Sequence, residues 1–210
     1  MAFALSSTDA LVIIDLQNDF CPGGALAVER GDEIVPLINL LQQRFGHVIL
    51  TQDWHPAGHI SFATSHPGTQ PFETIQVAYG PQVLWPDHCL QGSAGADFHP
   101  LLDTTRAELI VRKGYNPRID SYSAFLDNDH STPTGLAGAL KERGIQRLFF
   151  CGLAYDYCVH FSAVDAVSLG FTACVIEDVC RAIDLNGSVA RVNDEMQQTG
   201  IACISSDTLL

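Results

Sequence analysis

From Ala10 to Ile14 the chain is apolar without a break, and the run ends at Asp15. A strand with apolar residues on both faces belongs in the middle of a parallel sheet, covered by helices above and below. The rest of the chain fits such a sheet. Ile34, Leu37, Ile38 and Leu41 lie at helical spacing within Ile34 to Phe45, and Gly46 closes that stretch. His47 to Thr51, Leu109 to Arg112, Arg147 to Cys151, Phe171 to Ile176 and Ile201 to Ile204 read as further strands. Leu136 to Arg143 closed by Gly144, Asp156 to Leu169 closed by Gly170, and Ser188 to Gln198 read as further helices. Strands alternating with helices predict a doubly wound α/β fold. With 210 residues, one domain over 1–210 is expected. Only the region at about 52–105 lacks periodicity. It is frequent in Gly, Pro and His, and a long irregular stretch inside a compact domain points to an ordered functional loop.

The formal net charge of -13 argues against nucleic acid and anionic membranes as partners, because phosphate binding needs clustered Lys and Arg. The seven cysteines are scattered, odd in number and without a CxxC pair, so neither a disulfide framework nor a structural zinc knot is expected. A reducing, cytoplasmic setting fits them. Met1 to Asp9 shows no secretory signal, and no run approaches the ~20 apolar residues of a membrane span.

In an open α/β sheet, ligands bind beyond the carboxyl ends of the strands. Asp15 ends the first strand, Asp53 and His55 lie just past the second, Lys113 ends the third and Cys158 follows the fourth. Singly, each has an ordinary explanation: a turn-capping carboxylate, a solvated lysine, a small buried cysteine. Together, Asp15, Lys113 and Cys158 form an acid–base–nucleophile set, in which a carboxylate accepts the thiol proton and a lysine holds the charges together. Cys158 is expected in the first turn of a helix, where unpaired amides and the macrodipole favour thiolate and could hold an oxyanion. A second set is Asp53, His55 and His88. Asp-x-His presents two ligands on one side of an extended segment, and His88 could arrive from the far end of the loop. Imidazole with carboxylate suits one divalent ion, zinc, iron or manganese, with His59 as a further candidate ligand and Ser61 contributing through water. His66, His99, His130, His47 and His160 read as surface or structural residues. Phe20, Trp85 and Tyr122 lie nearest these motifs and could sandwich a flat ring.

The motifs Asp15-Leu16-Gln17-Asn18-Asp19-Phe20-Cys21, Asp53-Trp54-His55-Pro56, Trp85-Pro86-Asp87-His88-Cys89, Lys113-Gly114 and Gly152-Leu153-Ala154-Tyr155-Asp156-Tyr157-Cys158-Val159 occur in this order. Together they resemble the nicotinamidase/pyrazinamidase group of the isochorismatase-like cysteine hydrolases. The resemblance spans about Ala10 to Ile176. It implies a six-stranded parallel sheet with helices on both faces, and hydrolysis of nicotinamide, and of pyrazinamide, to the acid and ammonia through a thioester, in NAD salvage. It implies Asp15 as general base, Lys113 as charge partner and Cys158 as nucleophile. The amides of Ala154 and Cys158 would be the oxyanion hole, after a cis Leu153–Ala154 peptide. Phe20, Trp85, Tyr122 and Leu153 would face the substrate. Asp53, His55 and His88 match the metal ligands, and the metal or its water would hold the pyridine nitrogen. His59 matches an extra histidine of some members with shorter spacing, and Tyr157 stands where some have histidine. The sequence leaves a homo-oligomer open. Two rivals stay open: a metal-independent carbamoyl or ureido amidohydrolase of the same superfamily, and a non-catalytic metal-binding protein.

Overall fold

The computed structural model describes residues 4–210. Eight strands and four helices follow in the order β1 (Asp9–Ile14), α1 (Val35–Gln42), β2 (His47–Asp53), β3 (Thr74–Val77), β4 (Gly80–Val83), β5 (Leu109–Lys113), α2 (Leu136–Glu142), β6 (Arg147–Leu153), α3 (His160–Ser168), β7 (Thr172–Arg181), α4 (Ser188–Thr199) and β8 (Ala202–Ile204). Six strands form one sheet in the order β5-β2-β1-β6-β7-β8, and every neighbouring pair is parallel. All six residues of β1 are buried, as its unbroken apolar run requires. Apolar side chains from the sheet, α1, α3 and the connecting segments form one continuous core. Among the described residues, no helix is long and apolar enough to cross a membrane.

The strand order reverses between β1 and β6. From β1 the chain moves to β2 and then β5 on one side, and from β6 to β7 and β8 on the other. Right-handed crossovers in opposite directions put α1 on one face and α3 and α4 on the other. The crevice at such a reversal is where ligands bind in open α/β sheets. Asp15 leaves β1 there with a left-handed φ of 43°, a sparsely populated conformation for a residue with a side chain.

Several boundaries differ from the sequence reading. The helix expected from Ile34 starts as a tight turn over Gly31–Ile34 and becomes α-helical at Val35, with Pro36 in its first turn, where a missing amide proton costs nothing. β2 and β5 run on to include Asp53 and Lys113, so both side chains project from strands instead of loops. β7 extends well past the end of its apolar run, to Arg181. Its pairing with β6 jumps from Phe150–Val175 to Gly152–Cys180, leaving a bulge that the period-two pattern does not show. The irregular 52–105 region holds an antiparallel hairpin, β3–β4.

Gly152 shows how closely β6 and β1 approach at the reversal. Its φ is 116°, and a Cβ there would lie 2.1 Å from the carbonyl oxygen of Ile14. Gly152→Ala should therefore cost more than about 3 kcal/mol by urea denaturation, or abolish soluble expression; a stability within about 0.5 kcal/mol of the parent would show that the strands can part.

Candidate active site

Lys113 is fully buried at the end of β5, and its ammonium is the centre of the site. Nζ lies 2.7 Å from Asp15 Oδ2 and 3.0 Å from Asp53 Oδ1, donates to the Ser121 carbonyl at 3.0 Å, and sits 3.4 Å from Cys158 Sγ. The two carboxylates outweigh the burial that disfavours its charge, so Lys113 holds its proton well above the usual lysine range. They do not share it equally. Burial works against the charge of Asp53 as well, but the neighbouring His55 and Lys113 hold its carboxyl well below the ordinary range. Burial raises the Asp15 carboxyl; Lys113 opposes the rise and Asp53 adds to it. Thr51 steadies Asp15 from the next strand: its hydroxyl donates to Oδ1 at 2.6 Å and accepts the Asp15 amide at 3.1 Å.

Cys158 corrects one expectation. It does not lie in the first turn of a regular helix. Tyr155–Val159 form a wide turn with π-type spacing, and α3 begins only at His160. Nor does the setting favour a resting thiolate. Burial pushes the thiol well above its ordinary range; Lys113 pulls against this, while Asp15 and Asp53 add to it. The desolvation of a closed site outweighs a helix terminus. In the same turn, the Ala154 carbonyl accepts from the amides of Tyr157 and Val159, both at 3.1 Å, and the Leu153–Ala154 peptide is cis.

Three further groups converge beside Lys113. Nδ1 of His55 lies 2.9 Å from the Gly114 carbonyl, and Nδ1 of His88 lies 2.7 Å from that of Pro86. A carbonyl only accepts, so each ring carries a proton on Nδ1. Both Nε2 atoms then face Asp53 Oδ2, at 3.0 and 3.4 Å. Two imidazole lone pairs and a carboxylate oxygen pointing at one another repel unless a positive charge lies between them. Without a metal, a proton fills that need: burial works against it, but Asp53 outweighs burial and raises the His55 pKa. The donor set also fits one divalent ion, its ligand atoms lying within 4.8 Å of one another. His59 is different. Its Nε2 donates to the Asn116 carbonyl at 2.9 Å and its Nδ1 lies 2.8 Å from the Ser61 hydroxyl, so both nitrogens are engaged and Ser61 is turned toward His59. Burial lowers its pKa to about 4, with the neighbouring His55 adding to the effect.

A narrow cleft opens onto Cys158, Asp53, His55 and His88, walled by Phe20, Trp85, Tyr122 and Ala154. Leu153 does not line it. That side chain is fully buried and faces Gly31, where a Cβ would lie 3.1 Å from Leu153 Cδ1. Tyr157 does line the cleft, edge-on to Trp85 at 4.9 Å and to Tyr122 at 5.5 Å.

Residues 9–208 match the family model described as the isochorismatase domain. The nicotinamidase of Acinetobacter baylyi is 53% identical over 201 residues, 96% of this chain and 94% of that protein. The chain belongs to the isochorismatase family, in its nicotinamidase branch. A solved nicotinamidase pyrazinamidase of Acinetobacter baumanii matches with a TM-score of 0.97 and 55% identity, covering 99% of this chain and all of that one. The pyrazinamidase of Pyrococcus horikoshii, solved in complex with zinc, matches with a TM-score of 0.77 and 33% identity over 94% of this chain and 99% of that one.

Several residues of this nicotinamidase-type site carried no readable signal of their own. Gln17, inside the Asp15–Cys21 motif, clamps β2: its amide donates to the Asp53 and Ala96 carbonyls, both at 2.8 Å, and its carbonyl accepts the Asp53 amide at 2.8 Å. Asp19 takes the amides of Ala25 and Cys89, fastening the strand end to the His88 segment. Asp156 accepts the amides of Ile183 and Asp184, which brings Ile183 to the cleft. Asp120 and Leu26, which line the cleft, and Thr51, which holds Asp15, likewise have nothing in their local sequence that marks them. Gly114 is tight for a visible reason. Its φ is 65°, and a Cβ would lie 2.4 Å from His55 Cε1. Gly114→Ala should keep a cooperative fold, destabilised by about 1–2 kcal/mol, yet bind zinc at least about tenfold more weakly because His55 is pushed aside. Competition with a chromophoric chelator measures this; parent-like zinc affinity would show that His55 moves freely.

Proposed function

We infer that the chain is a nicotinamidase, hydrolysing nicotinamide to nicotinate and ammonia, with Asp15, Lys113 and Cys158 as its catalytic groups. The observation that supports this best is the single buried ammonium within 3.4 Å of the sulfur, with Asp15 and Asp53 bracketing it. The relatives at 53% and 55% identity are nicotinamidases. Pyrazinamide, the same carboxamide on a ring with a second nitrogen, fits as an alternative substrate.

The reaction starts from a neutral thiol. Asp15 Oδ1 is taken by the Thr51 hydroxyl, whereas Oδ2 meets only the Lys113 ammonium at 2.7 Å and is the oxygen that takes the proton. The raised pKa of Asp15 makes it a stronger base than an ordinary aspartate, and transfer of the Cys158 proton accompanies attack of sulfur on the carboxamide carbon. Lys113 stays charged and offsets the negative charge as it moves from Asp15 to sulfur. The carbonyl electrons move onto oxygen, which the amides of Ala154 and Cys158 receive; the Ala154 carbonyl already occupies the amides of Tyr157 and Val159. Collapse breaks the C–N bond, and Asp15 returns the proton so that ammonia departs. Water attacks the thioester with Asp15 again taking the proton, and nicotinate leaves as the Cys158 thiol re-forms. Removing the reacting pair from water and holding it oriented supplies several kcal/mol, roughly as much as the oxyanion contacts.

Asp53, His55 and His88 would hold a divalent cation, with zinc, iron or manganese suited to the donors. Bound there, it would supply a Lewis-acidic hold on the pyridine nitrogen. Phe20, Trp85, Tyr122 and Tyr157 line the cleft and would enclose the ring. The convergence of this set on the cleft favours a pyridine carboxamide over a carbamoyl or ureido substrate, which has no ring nitrogen to place.

Cys158→Ala should fold like the parent and release ammonia from nicotinamide at least about 10⁴-fold more slowly. Retained turnover in a coupled ammonia assay would refute the nucleophile. Stripping the cation with chelator should raise KM for nicotinamide by about tenfold or more, equivalent to a lost contact of about 1.4 kcal/mol. Steady-state kinetics before and after zinc is restored check this, and an unchanged KM would remove the cation from ring binding.

A further inference from the structure

Asp120 is a buried carboxylate that the reaction does not use. It lies in the segment between β5 and α2, lines the cleft and is 2% exposed. Its hydrogen-bond donors are neutral: the Ser121 amide reaches Oδ1 at 2.8 Å and the Gln82 side-chain amide reaches Oδ2 at 3.0 Å. Gln82 is fixed in turn, its carbonyl accepting from the Tyr79 hydroxyl at 2.9 Å and from Asn128 at 3.3 Å. Among the described residues, the one ionic neighbour of Asp120 within 4.0 Å is Nε2 of His55, at 4.0 Å from Oδ1. That Nε2 is the lone-pair edge already facing Asp53. A buried carboxylate without a cation is costly, and one held rigidly toward an imidazole lone pair more so.

Charge counting says what the arrangement needs. Asp15 and Lys113 cancel. Asp53 alone would leave a divalent ion at Asp53, His55 and His88 with one uncompensated positive charge in a water-poor site. Asp120 removes that excess. Without the ion, Asp53 and Asp120 leave the same pocket with an excess of negative charge. His59 does not change the balance, since both of its nitrogens are engaged by neutral groups.

We propose that Asp120 is the second carboxylate of the cation site: a positioning residue that acts across the His55 edge to neutralise a bound divalent ion and hold it in place. The proposal rests on the reading that Asp53, His55 and His88 hold that ion. It assigns the Gln82–Tyr79–Asn128 network a purpose, which is to keep the Asp120 carboxylate aimed at His55. It also separates Asp120 from Asp127, a second buried carboxylate of the same segment that does not line the cleft.

The test measures zinc affinity of the whole protein by chelator competition, independently of turnover. Asp120→Asn and Asp120→Ala remove the charge in two ways, Asp120→Glu keeps it, and Asp127→Asn is the control. Circular dichroism of the metal-free forms reports folding. Both charge-removing variants should bind zinc about 10–100-fold more weakly than the parent. Asp120→Glu should recover at least about tenfold of that loss, and Asp127→Asn should match the parent. Parent-like affinity in a folded Asn or Ala variant would overturn the proposal. So would equal weakness in the Asn, Ala and Glu variants, which would mark a structural role only. A His88→Ala control keeps the two readings apart: if it leaves zinc binding unchanged, the Asp53–His55–His88 site falls first and the proposal with it.

Discussion

One ammonium without access to water holds this site together. Lys113 has four neighbours within 3.4 Å, drawn from the end of β1, from β2, the segment after β5 and the turn after β6. A lysine so placed stays charged only because two carboxylates meet it, and the carboxylates stay buried only because it is there. Each charge is the condition for the others. Replacing Lys113 leaves two carboxylates buried against each other, a far larger penalty than loss of a surface ion pair would carry. The same dependence joins two functions that could have been separate. Asp53 touches Lys113 through Oδ1 and the imidazoles through Oδ2, so nucleophile activation and cation binding share one side chain.

The sheet topology makes that sharing geometrically easy. β1 is central, with β2 on one side and β6 on the other. The carboxyl ends of these strands, and of β5 beside β2, therefore deliver Asp15, Asp53, Cys158 and Lys113 around a single crevice. Fine adjustment comes from polar clamps. Gln17 fixes the backbone of Asp53, and Thr51 fixes the carboxylate of Asp15. The left-handed backbone at Asp15 turns its side chain off the strand direction. Sheet geometry alone places groups to within a strand spacing of about 4.8 Å, while proton transfer needs hydrogen-bond distance. The clamps close that gap.

Much of this was readable from the letters because it follows from periodicity. Ala10–Ile14 suits a central strand and Arg147–Cys151 reads as another strand, and residues just beyond such strands share an edge. The Asp53, His55 and His88 pattern was visible because metal ligands are chemically distinctive. What stayed hidden depends on the other partner in a contact. Asp120 looks like any loop aspartate until His55 is seen 4.0 Å away. His59 gives no sign in the sequence that Asn116 and Ser61 meet its two nitrogens, or that it groups with His55 and Asp120 and not with Asp53 and His88. Leu153 stands next to the reacting loop in sequence, yet alternation along β6 turns its side chain toward Gly31. The extension of β7 past Ile176 includes Glu177 and Asp178, which no apolar pattern would assign to a strand.

The largest discrepancy concerns the thiol, and it has a physical consequence. Helix-terminus reasoning favours a thiolate at rest, whereas burial keeps the proton on sulfur. A resting thiolate would place another negative charge beside Asp15 and Asp53 with one ammonium to serve three anions. It would also expose the most oxidisable form of cysteine to anything small enough to enter the cleft, because oxidation follows thiolate character. A neutral thiol next to a carboxylate of raised pKa avoids both problems. The proton needs to travel only from Cys158 to Asp15, and negative charge passes from one neighbour of Lys113 to another without changing the total. The ammonium therefore serves both the state before proton transfer and the state after it, and the burial that opposes a free thiolate is the same burial that strengthens Lys113's hold on the sulfur as attack proceeds.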